Sequence, residues 1–362
     1  MNLYTSDDNF GIAVAISGDI IVIGADKNDA TCPGTTPLCN AGAAYVFTRS
    51  GTNWTQQAKL TPSDLGVADR FGGAVAIDGA TAVVGTGPDD HAGGTDAGSA
   101  YVFVQSGTNW NQEAKLIASD ASSIDRFGGA VAIPGDNIAV GASTANDGAS
   151  SSGTTYVFVR TTGWAEQAKL SASDPEANNL FGDAIDIHGN TVVVGAFQED
   201  DAGAASGSAY VFQRTGSNWN QQAKLTPNDT AAGDNFGDGV ATIGDAIVVG
   251  SPRDDDNGSD SGSAYVFTRN GTWSQQQKLT AGDGQLGDRL CNAMAMDSGL
   301  IVAGAFFEDD QGISSGAAYV FAGTTPVSVP GVTSWGLILM GILFLVVLAW
   351  RSSVGRQKTV QR

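Results

Sequence analysis

The sequence predicts an all-β protein, a β-propeller of six four-stranded blades, and two periodic features carry that prediction. The tripeptide Tyr-Val-Phe recurs six times at intervals of 54 to 56 residues, at Tyr45, Tyr101, Tyr156, Tyr210, Tyr265 and Tyr319. A Phe-Gly pair precedes it at Phe10, Phe71, Phe127, Phe181 and Phe236, with Leu290-Cys291 in the sixth place. A fixed period of this length indicates one supersecondary unit repeated side by side.

Each repeat contains four short apolar runs bounded by turn residues, which is typical of strands joined by tight turns. In the second repeat these runs are residues 73–77, 81–85, 99–104 and 110–116. A two-residue turn such as Gly18-Asp19 joins the first two, because glycine accepts positive φ readily. Both faces of each small sheet look apolar, so each sheet needs a like neighbour on either side, which a radial ring supplies. A parallel β-helix is the alternative, but its coils are shorter.

The repeats predict one propeller domain over residues 1–322, with blades starting near residues 10, 71, 127, 181, 236 and 290. The last repeat stops at Phe321 without the outer strand that runs from Trp to Lys-Leu in the other repeats. Residues 2–7 resemble only the end of such a strand, residues 224–229. We therefore expect an N-terminal truncation, with a seven-bladed ring as the alternative to six blades.

Residues 10–25, 71–85 and 181–196 resemble the FG-GAP repeat of integrin-α-type propellers. The resemblance recurs six times over residues 10–321 and implies the same blade architecture. Integrin-type repeats often carry a calcium loop between their first two strands. Here that connection is a two-residue turn, so the calcium site of the family does not transfer to this chain.

The C-terminal region predicts a membrane anchor. After a linker at residues 323–334, an uncharged apolar stretch covers residues 335–350 between two tryptophans, followed by a basic tail at 351–362. At about 1.5 Å per residue this stretch is a short transmembrane helix. The basic flank predicts a cytoplasmic tail and an extracytoplasmic propeller.

The same region resembles bacterial sorting signals of the IPTL-CTERM and PEP-CTERM type, through Pro330, Trp335 and Gly336. The resemblance implies a bacterial envelope or surface protein and a sorting peptidase as partner, although Ser334 stands where an acidic residue is usual. The chain start lacks the export signal that this location requires, in line with a truncation. Cys32 and Cys39 share a loop and predict a disulfide in such a compartment, whereas Cys291 predicts a buried thiol.

The charge is concentrated in the loops. The net charge is −20, which argues against nucleic-acid binding. Strand order places the second-to-third loops of each blade and the fourth-to-first loops on one face of the ring. Those loops hold 28 of the 38 acidic residues and only five basic ones. We therefore expect an acidic face that binds a protein, a cationic ligand or a glycan.

Two interpretations of these carboxylates stay open. In the first, residues such as Asp64 and Asp69 form turns and keep the surface soluble. In the second, the clustered carboxylates bind Ca²⁺, the one cofactor that the sequence suggests. The Ca²⁺ candidates are Asp254, Asp255, Asp256, Asn257 and Asp260, followed by Glu199, Asp200, Asp201, Glu308, Asp309 and Asp310.

Few residues suggest catalysis, and we predict a non-enzymatic protein. The chain has two histidines, and His91 is interpreted as a solvated loop residue. The Lys before Leu in each outer strand, such as Lys59, is interpreted as a charge that keeps sheet edges from aggregating. Adhesion or ligand binding through the acidic face is the first hypothesis. A propeller hydrolase or lyase, with a central pocket where the repeat is broken, and a surface-display scaffold without a specific ligand are the alternatives.

Overall fold

The computed structural model describes residues 8–29, 39–309 and 315–322. Contacts divide the chain into two compact units, of which the first contains Met1–Met296 and Ile301–Phe321. The second contains Asp297–Leu300 and Ala322–Arg362, and in it only residues 297–300 and 322 belong to the described part. The first unit is the predicted all-β propeller, with six blades.

Every blade is an antiparallel sheet whose strands follow chain order. Five blades have four strands, and the sixth has three among the described residues. Blades 1 to 3 consist of β1 Phe10–Ser17, β2 Ile20–Ala25, β3 Ala43–Ser50, β4 Asn53–Leu60, β5 Ala74–Asp78, β6 Thr81–Thr86, β7 Ser99–Ser106, β8 Asn109–Leu116, β9 Ala130–Ala132, β10 Asn137–Ala142, β11 Thr154–Arg160 and β12 Trp164–Leu170. Blades 4 to 6 consist of β13 Ile185–His188, β14 Thr191–Ala196, β15 Ser208–Thr215, β16 Asn218–Leu225, β17 Gly239–Ile243, β18 Ala246–Ser251, β19 Ser263–Asn270, β20 Thr272–Leu279, β21 Leu290–Asp297, β22 Leu300–Ala305 and β23 Ala317–Ala322.

Consecutive blades pack through apolar faces, as the two-sided apolar strands predict. Between blades 1 and 2, for example, Val22 and Val46 pack in one cluster with Phe71, and all three side chains are fully buried. Four further clusters join the following blades pairwise. The described residues form no cluster that joins blade 6 to blade 1, and Val14 and Val320 are 59% and 60% exposed.

Glycine allows the backbones of neighbouring blades to approach each other. Gly24 is the second-to-last residue of β2, and a Cβ added there would overlap the carbonyl oxygen of Gly72 in blade 2. Gly72 has φ of +99°, a conformation that glycine adopts without strain. Blade packing thus requires glycine near the end of the second strand of one blade and in the Phe-Gly pair of the next blade, because the two backbones are in contact there.

Each complete blade has a bulge in its outer strand, and in blades 1 to 3 the bulge aims a side chain at the next blade. The third and outer strands shift register so that Gln57 in blade 1 is the extra residue of the outer strand. Gln57 Oε1 accepts a hydrogen bond of 2.9 Å from the indole of Trp110, in the outer strand of blade 2. Glu113 of blade 2 and Gln167 of blade 3 likewise each accept a hydrogen bond from the indole of the outer-strand tryptophan in the following blade. The outer-strand tryptophans of blades 2 to 4 therefore help to hold each blade to the preceding one.

Several predictions fall on residues outside the described ranges. These are Cys32, Asp310, the linker at 323–334 with Pro330, the helix at 335–350 with Trp335 and Gly336, and the tail at 351–362. Within the described part of the chain, no helix has the length and apolar character needed to cross a bilayer.

Candidate functional site

The predicted acidic loops lie together at one end of the first unit. The loop between the second and third strands of blade 1 meets the start of blade 2, where Phe71 donates its backbone N–H to Ala41 O at 2.9 Å. Phe127 and Ala97 repeat this contact between blades 2 and 3 at 3.0 Å. The second-to-third loop of one blade is therefore bonded to the fourth-to-first loop that follows it.

A half-buried lysine organises the carboxylates of these loops. In blade 2 the ammonium of Lys115 lies 2.8 Å from Asp64 Oδ2 and 2.9 Å from Asp89 Oδ2. It also lies 5.1 Å from the ring centroid of Tyr101, within the range of a cation–π interaction. The Tyr101 hydroxyl completes the group by donating to Asp64 at 3.1 Å. We call this set of lysine, tyrosine and carboxylates the lysine cluster of blade 2.

Blades 3, 4 and 5 each contain an equivalent lysine cluster. The lysine comes from the outer strand, the tyrosine from Tyr-Val-Phe, and the carboxylates from the two loop sets. The members are Lys169, Tyr156, Asp120 and Asp147; Lys224, Tyr210, Asp174, Glu199 and Asp201; and Lys278, Tyr265, Asp229, Asp254 and Asp256.

The lysine clusters correct the sequence interpretation of these lysines. From the sequence, Lys59 and its equivalents were expected to keep an exposed sheet edge from aggregating. They instead fold back over the third strand, because the cross-strand pairing of Tyr101 with Lys115 puts both side chains on one face under the loops. The recurrence of Tyr, Lys and Ser-Asp with the same period was the sequence signal for this contact.

The best Ca²⁺ candidates lie in the cluster of blade 5. Carboxylate oxygens of Asp229, Asp254 and Asp256 lie within 4.8 Å of one another, close enough to share a metal ion. The ammonium of Lys278, however, contacts all three, at 2.9 Å from Asp229 and 2.8 Å from Asp254. A metal ion here would have to displace that ammonium. The Ca²⁺ assignment stays a prediction.

The other candidate carboxylates mostly close their own loops. Asp255 and Asp200 are exposed, and each accepts a backbone N–H five residues on, from Asp260 at 2.8 Å and from Ala205 at 2.7 Å. The remaining candidates are spread over three loops. Glu199 and Asp201 both contact the ammonium of Lys224. Asn257 Nδ2 donates to Ala281 O at 3.4 Å, and Asp260 forms an ion pair with Arg289 at 3.3 Å. Glu308 is buried and Asp309 is exposed. The structure thus brings the candidates into separate blades rather than into one site.

The contacts within a lysine cluster fix the charge of its members. Burial opposes ionisation of Asp64, but hydrogen bonds from Lys115 and Tyr101 outweigh it and hold the pKa of Asp64 below its ordinary value. Burial alone would lower the pKa of Lys115, yet its hydrogen bonds raise that pKa above the ordinary value. Asp64 and Lys115 therefore both stay charged near neutral pH.

A second set of aspartates forms turns, as the first interpretation of the carboxylates predicts. Asp125 accepts the backbone N–H of Ser122 at 2.7 Å, and Asp234 accepts that of Ala231 at 2.7 Å. Burial raises the pKa of the equivalent Asp69 to about 6, and the charges of Asp89 and Asp90 add to the effect. The turn carboxyl of Asp69 therefore titrates at higher pH than Asp64, which contacts Lys115.

The first strands of all six blades surround one central channel with a volume of about 490 Å³. Its lining is mostly glycine, alanine and valine, with Ile12, Ile185 and Met294 as the larger side chains. Asp183 and Asp238 directly precede lining residues and stand where blades 2 and 3 have Gly73 and Gly129. Asp183 is exposed and Asp238 is half-buried, and desolvation by the surrounding protein is the main cause that raises the pKa of both carboxyls. The repeat is therefore broken beside the channel.

Two further predictions concern His91 and the cysteines. The structure corrects the interpretation of His91 as a solvated residue, because its Nδ1 accepts from Gly93 N at 2.9 Å and its Nε2 lies 2.9 Å from Gly98 O. Cys291 is a buried free thiol, as predicted. Cys39 is disulfide-bonded and 1% exposed, while its predicted partner, Cys32, lies outside the described ranges.

The repeat unit of the chain matches a known family. A model of the FG-GAP repeat matches residues 4–47, 54–103, 110–158, 164–212, 219–267 and 273–321. Each match after the first begins at the tryptophan of an outer strand and ends at the phenylalanine of the next Tyr-Val-Phe. A search of curated proteins finds no match to the chain. Since the six matches span most of its length, the chain belongs to the FG-GAP repeat family.

Proposed function

We propose that the propeller is a non-enzymatic binding or adhesion domain that takes a cationic ligand, such as a basic segment of a partner protein, on its acidic loop face. The observation that carries the proposal is that carboxylates outnumber lysines in each lysine cluster of blades 2 to 5. The cluster of blade 4, for example, has three carboxylates around Lys224. The face therefore keeps negative charge after internal pairing.

The exposed loop carboxylates are the contacts best placed for a ligand. Asp90, Asp200 and Asp255 occupy the same position in three blades, and all three are exposed. Within the described part of the chain, each accepts a hydrogen bond from a backbone N–H of its own loop. A ligand cation can therefore reach them without breaking a lysine cluster.

Binding of a basic peptide tests this proposal. The triple variant Asp90→Asn, Asp200→Asn, Asp255→Asn should bind an oligolysine peptide roughly tenfold more weakly at low salt, since exposed charges contribute up to about 1 kcal/mol each. A matched control replaces Asp19, Asp136 and Asp245 by Asn in the turns at the opposite end of the blades. Equal binding by the two variants, or binding that does not weaken with salt, would contradict the proposal.

A hydrolase or lyase is the second candidate function, and Asp183 and Asp238 are the residues that favour it. Both carboxyls have raised pKa values and stand beside the central channel, where the repeat is broken. A screen of glycoside and ester substrates would support this candidate if Asp183→Asn or Asp238→Asn abolished a detected activity. Activity that survives both substitutions would count against it.

We also propose that the propeller lies outside the cytoplasm in a bacterial envelope, anchored by residues 335–350. The disulfide at Cys39 supports this, because structural disulfides persist mainly in oxidising compartments. The resemblance of Pro330, Trp335 and Gly336 to sorting signals supports it further. Protease treatment of intact cells should remove the propeller; full protection of the propeller would contradict this location.

A further inference from the structure

Blade 1 has a buried amide at a position where three other blades have a buried carboxylate. Asn28 lies in the second-to-third loop, at the sequence position of Asp89, Glu199 and Asp254 in blades 2, 4 and 5. All four side chains are buried. The ammonium of Lys59, in the outer strand of blade 1, donates to Asn28 Oδ1 at 2.8 Å. The lysine of blade 1 therefore contacts a neutral amide at the position where the others contact an ion.

A buried carboxylate contacts the nitrogen of the same amide. Asn28 Nδ2 donates to Asp8 Oδ2 at 2.8 Å, and Asp8 is only 3% exposed. The ring centroid of Tyr45 lies 5.5 Å from Lys59 Nζ. Because a C=O bond is about 1.23 Å long, the hydrogen bond to Oδ1 keeps Nζ within about 4 Å of the amide carbon Cγ. An amine, an amide carbon and a carboxylate are thus brought together in one blade.

The surroundings of Lys59 change its pKa in the direction opposite to those of the lysine clusters. Burial lowers the pKa of Lys59, although the charge of Asp8 acts against this effect. In blades 2 to 5, burial acts in the same direction, but hydrogen bonds outweigh it and raise the pKa of the equivalent residues Lys115, Lys169, Lys224 and Lys278. Blade 1 therefore favours the neutral amine, which is the nucleophilic form of lysine.

We propose that Lys59 and Asn28 form an intramolecular isopeptide bond, with Asp8 as the acid–base catalyst. Asp8 takes a proton from the Lys59 ammonium, and the neutral amine attacks Cγ of Asn28. The bond between Cγ and Nδ2 then breaks, while Asp8 passes its proton to Nδ2. The second proton lost by Nζ also goes to the departing nitrogen, which leaves as ammonium. The product is an amide between Nζ and Cγ, Asp8 is again a carboxylate, and no oxidant or reductant is consumed.

The hydrogen-bonded pair is the state that folding produces, and the isopeptide bond forms from it afterwards. In freshly folded protein, a substitution of Lys59 therefore removes only the contacts of a free lysine. The bond ties the second-to-third loop to the outer strand, as the ion pair of Asp89 and Lys115 does in blade 2. Since the ammonium must first lose a proton, the reaction should be faster at higher pH. The inference does not depend on the proposed binding function.

Mass spectrometry of the full chain in mild detergent tests the bond. After incubation at mildly alkaline pH and reduction of disulfides, we expect an intact mass lower than that of the sequence by one ammonia per molecule. In a tryptic digest, residues 28–49 should appear joined to residues 50–70, without cleavage after Lys59. Deamidation of an asparagine also releases ammonia but adds water, so the intact mass separates the two reactions.

Three variants assign the reacting groups. Asn28→Asp is the matched control, because it gives Lys59 the carboxylate that Lys115 has in Asp89, and it should lose no ammonia. Lys59→Met should lose none either. Asp8→Asn keeps a side chain that can accept from the amide but cannot take up the proton. This variant should form the bond about a hundredfold more slowly, a usual contribution of general acid–base catalysis.

A wild type that keeps the mass of its sequence and is cleaved after Lys59 would overturn the proposal and leave a hydrogen bond only. Loss of ammonia that persists in Asn28→Asp or Lys59→Met would also overturn it, because the reaction would then lie elsewhere in the chain. An unchanged rate in Asp8→Asn would refute the catalytic role of Asp8. The pH dependence needs no variant, and a rate that does not rise with pH would contradict attack by the neutral amine.

Discussion

The carboxylate of Asp89, only 1% exposed, lies 2.9 Å from the ammonium of Lys115. The two residues come from a loop and an outer strand of one blade, and the ion pair ties that loop down onto the sheet. A buried charge depends on its partner, because an unpaired ion in the protein interior is costly. The lysine is the cation that balances this buried charge, and the Ser99 hydroxyl also donates to Asp89.

Replacement of that lysine should be strongly destabilising. We expect Lys115→Met to lower the free energy of unfolding by about 3 to 5 kcal/mol, since it leaves the charge of Asp89 buried without its cation. Lys59→Met is the matched comparison, because Lys59 contacts the neutral side chain of Asn28 at 2.8 Å. Its cost should be about 1.5 to 3 kcal/mol, the contribution of one hydrogen bond from a charged group to a neutral one. Urea unfolding measures both; equal costs would show that the Asp89 contact is not what stabilises the loop.

The sequence predicts the blades well because every repeat carries the same signals. The Phe-Gly pair that contains Phe71 and the Tyr-Val-Phe tripeptide that contains Tyr101 recur with one period, so the repeated copies support each strand assignment. The lysine clusters were missed because they join parts of the repeat that are far apart in sequence. Asp64 lies 51 residues from Lys115, and only the packing of a loop onto the following blade brings them together. A single repeat, considered alone, shows a lysine on an outer strand and nothing that would bury it.

Titration of Asp69 should make the protein less stable as the pH rises from about 4 to 7. Its carboxyl has a pKa of about 6 in the folded protein, above the usual unfolded value near 3.9. The folded state therefore binds the proton more tightly, and ionisation in this range opposes folding. Relative to Asp69→Asn, the wild type should lose about 2 to 3 kcal/mol between these pH values.

Asp64 provides the opposite control for that experiment. Its pKa is lowered in the folded protein, mainly through Lys115 once the cost of burial is overcome. Relative to Asp64→Asn, the wild type should therefore lose stability as the pH falls below about 4. Stability differences of the same sign for the two variants would contradict these environments.

A methyl group between neighbouring blades should disrupt the ring. A Cβ at Gly85 would overlap the carbonyl oxygen of Gly128, which is backbone and cannot move aside cheaply. We expect Gly85→Ala to cost at least about 4 kcal/mol, or to prevent folding. Gly79→Ala is the control, because Gly79 faces open space, so that a methyl group there meets only the cost of its positive φ of +54°. Its cost should stay near about 1 kcal/mol, and an equal melting temperature for the two variants would show that the close contact is not required.

The lysine of blade 5 should determine whether its carboxylates respond to Ca²⁺. In the wild type, the ammonium of Lys278 contacts Asp229, Asp254 and Asp256. We therefore expect EDTA or added Ca²⁺ to leave the melting temperature unchanged. In Lys278→Met the three carboxylates lose their counter-charge, and a hard divalent cation can take its place. Calorimetry should show this variant destabilised in EDTA and raised by several degrees in millimolar Ca²⁺. A wild type that melts several degrees lower in EDTA would instead establish a bound metal, and would support the calcium interpretation of the acidic loops.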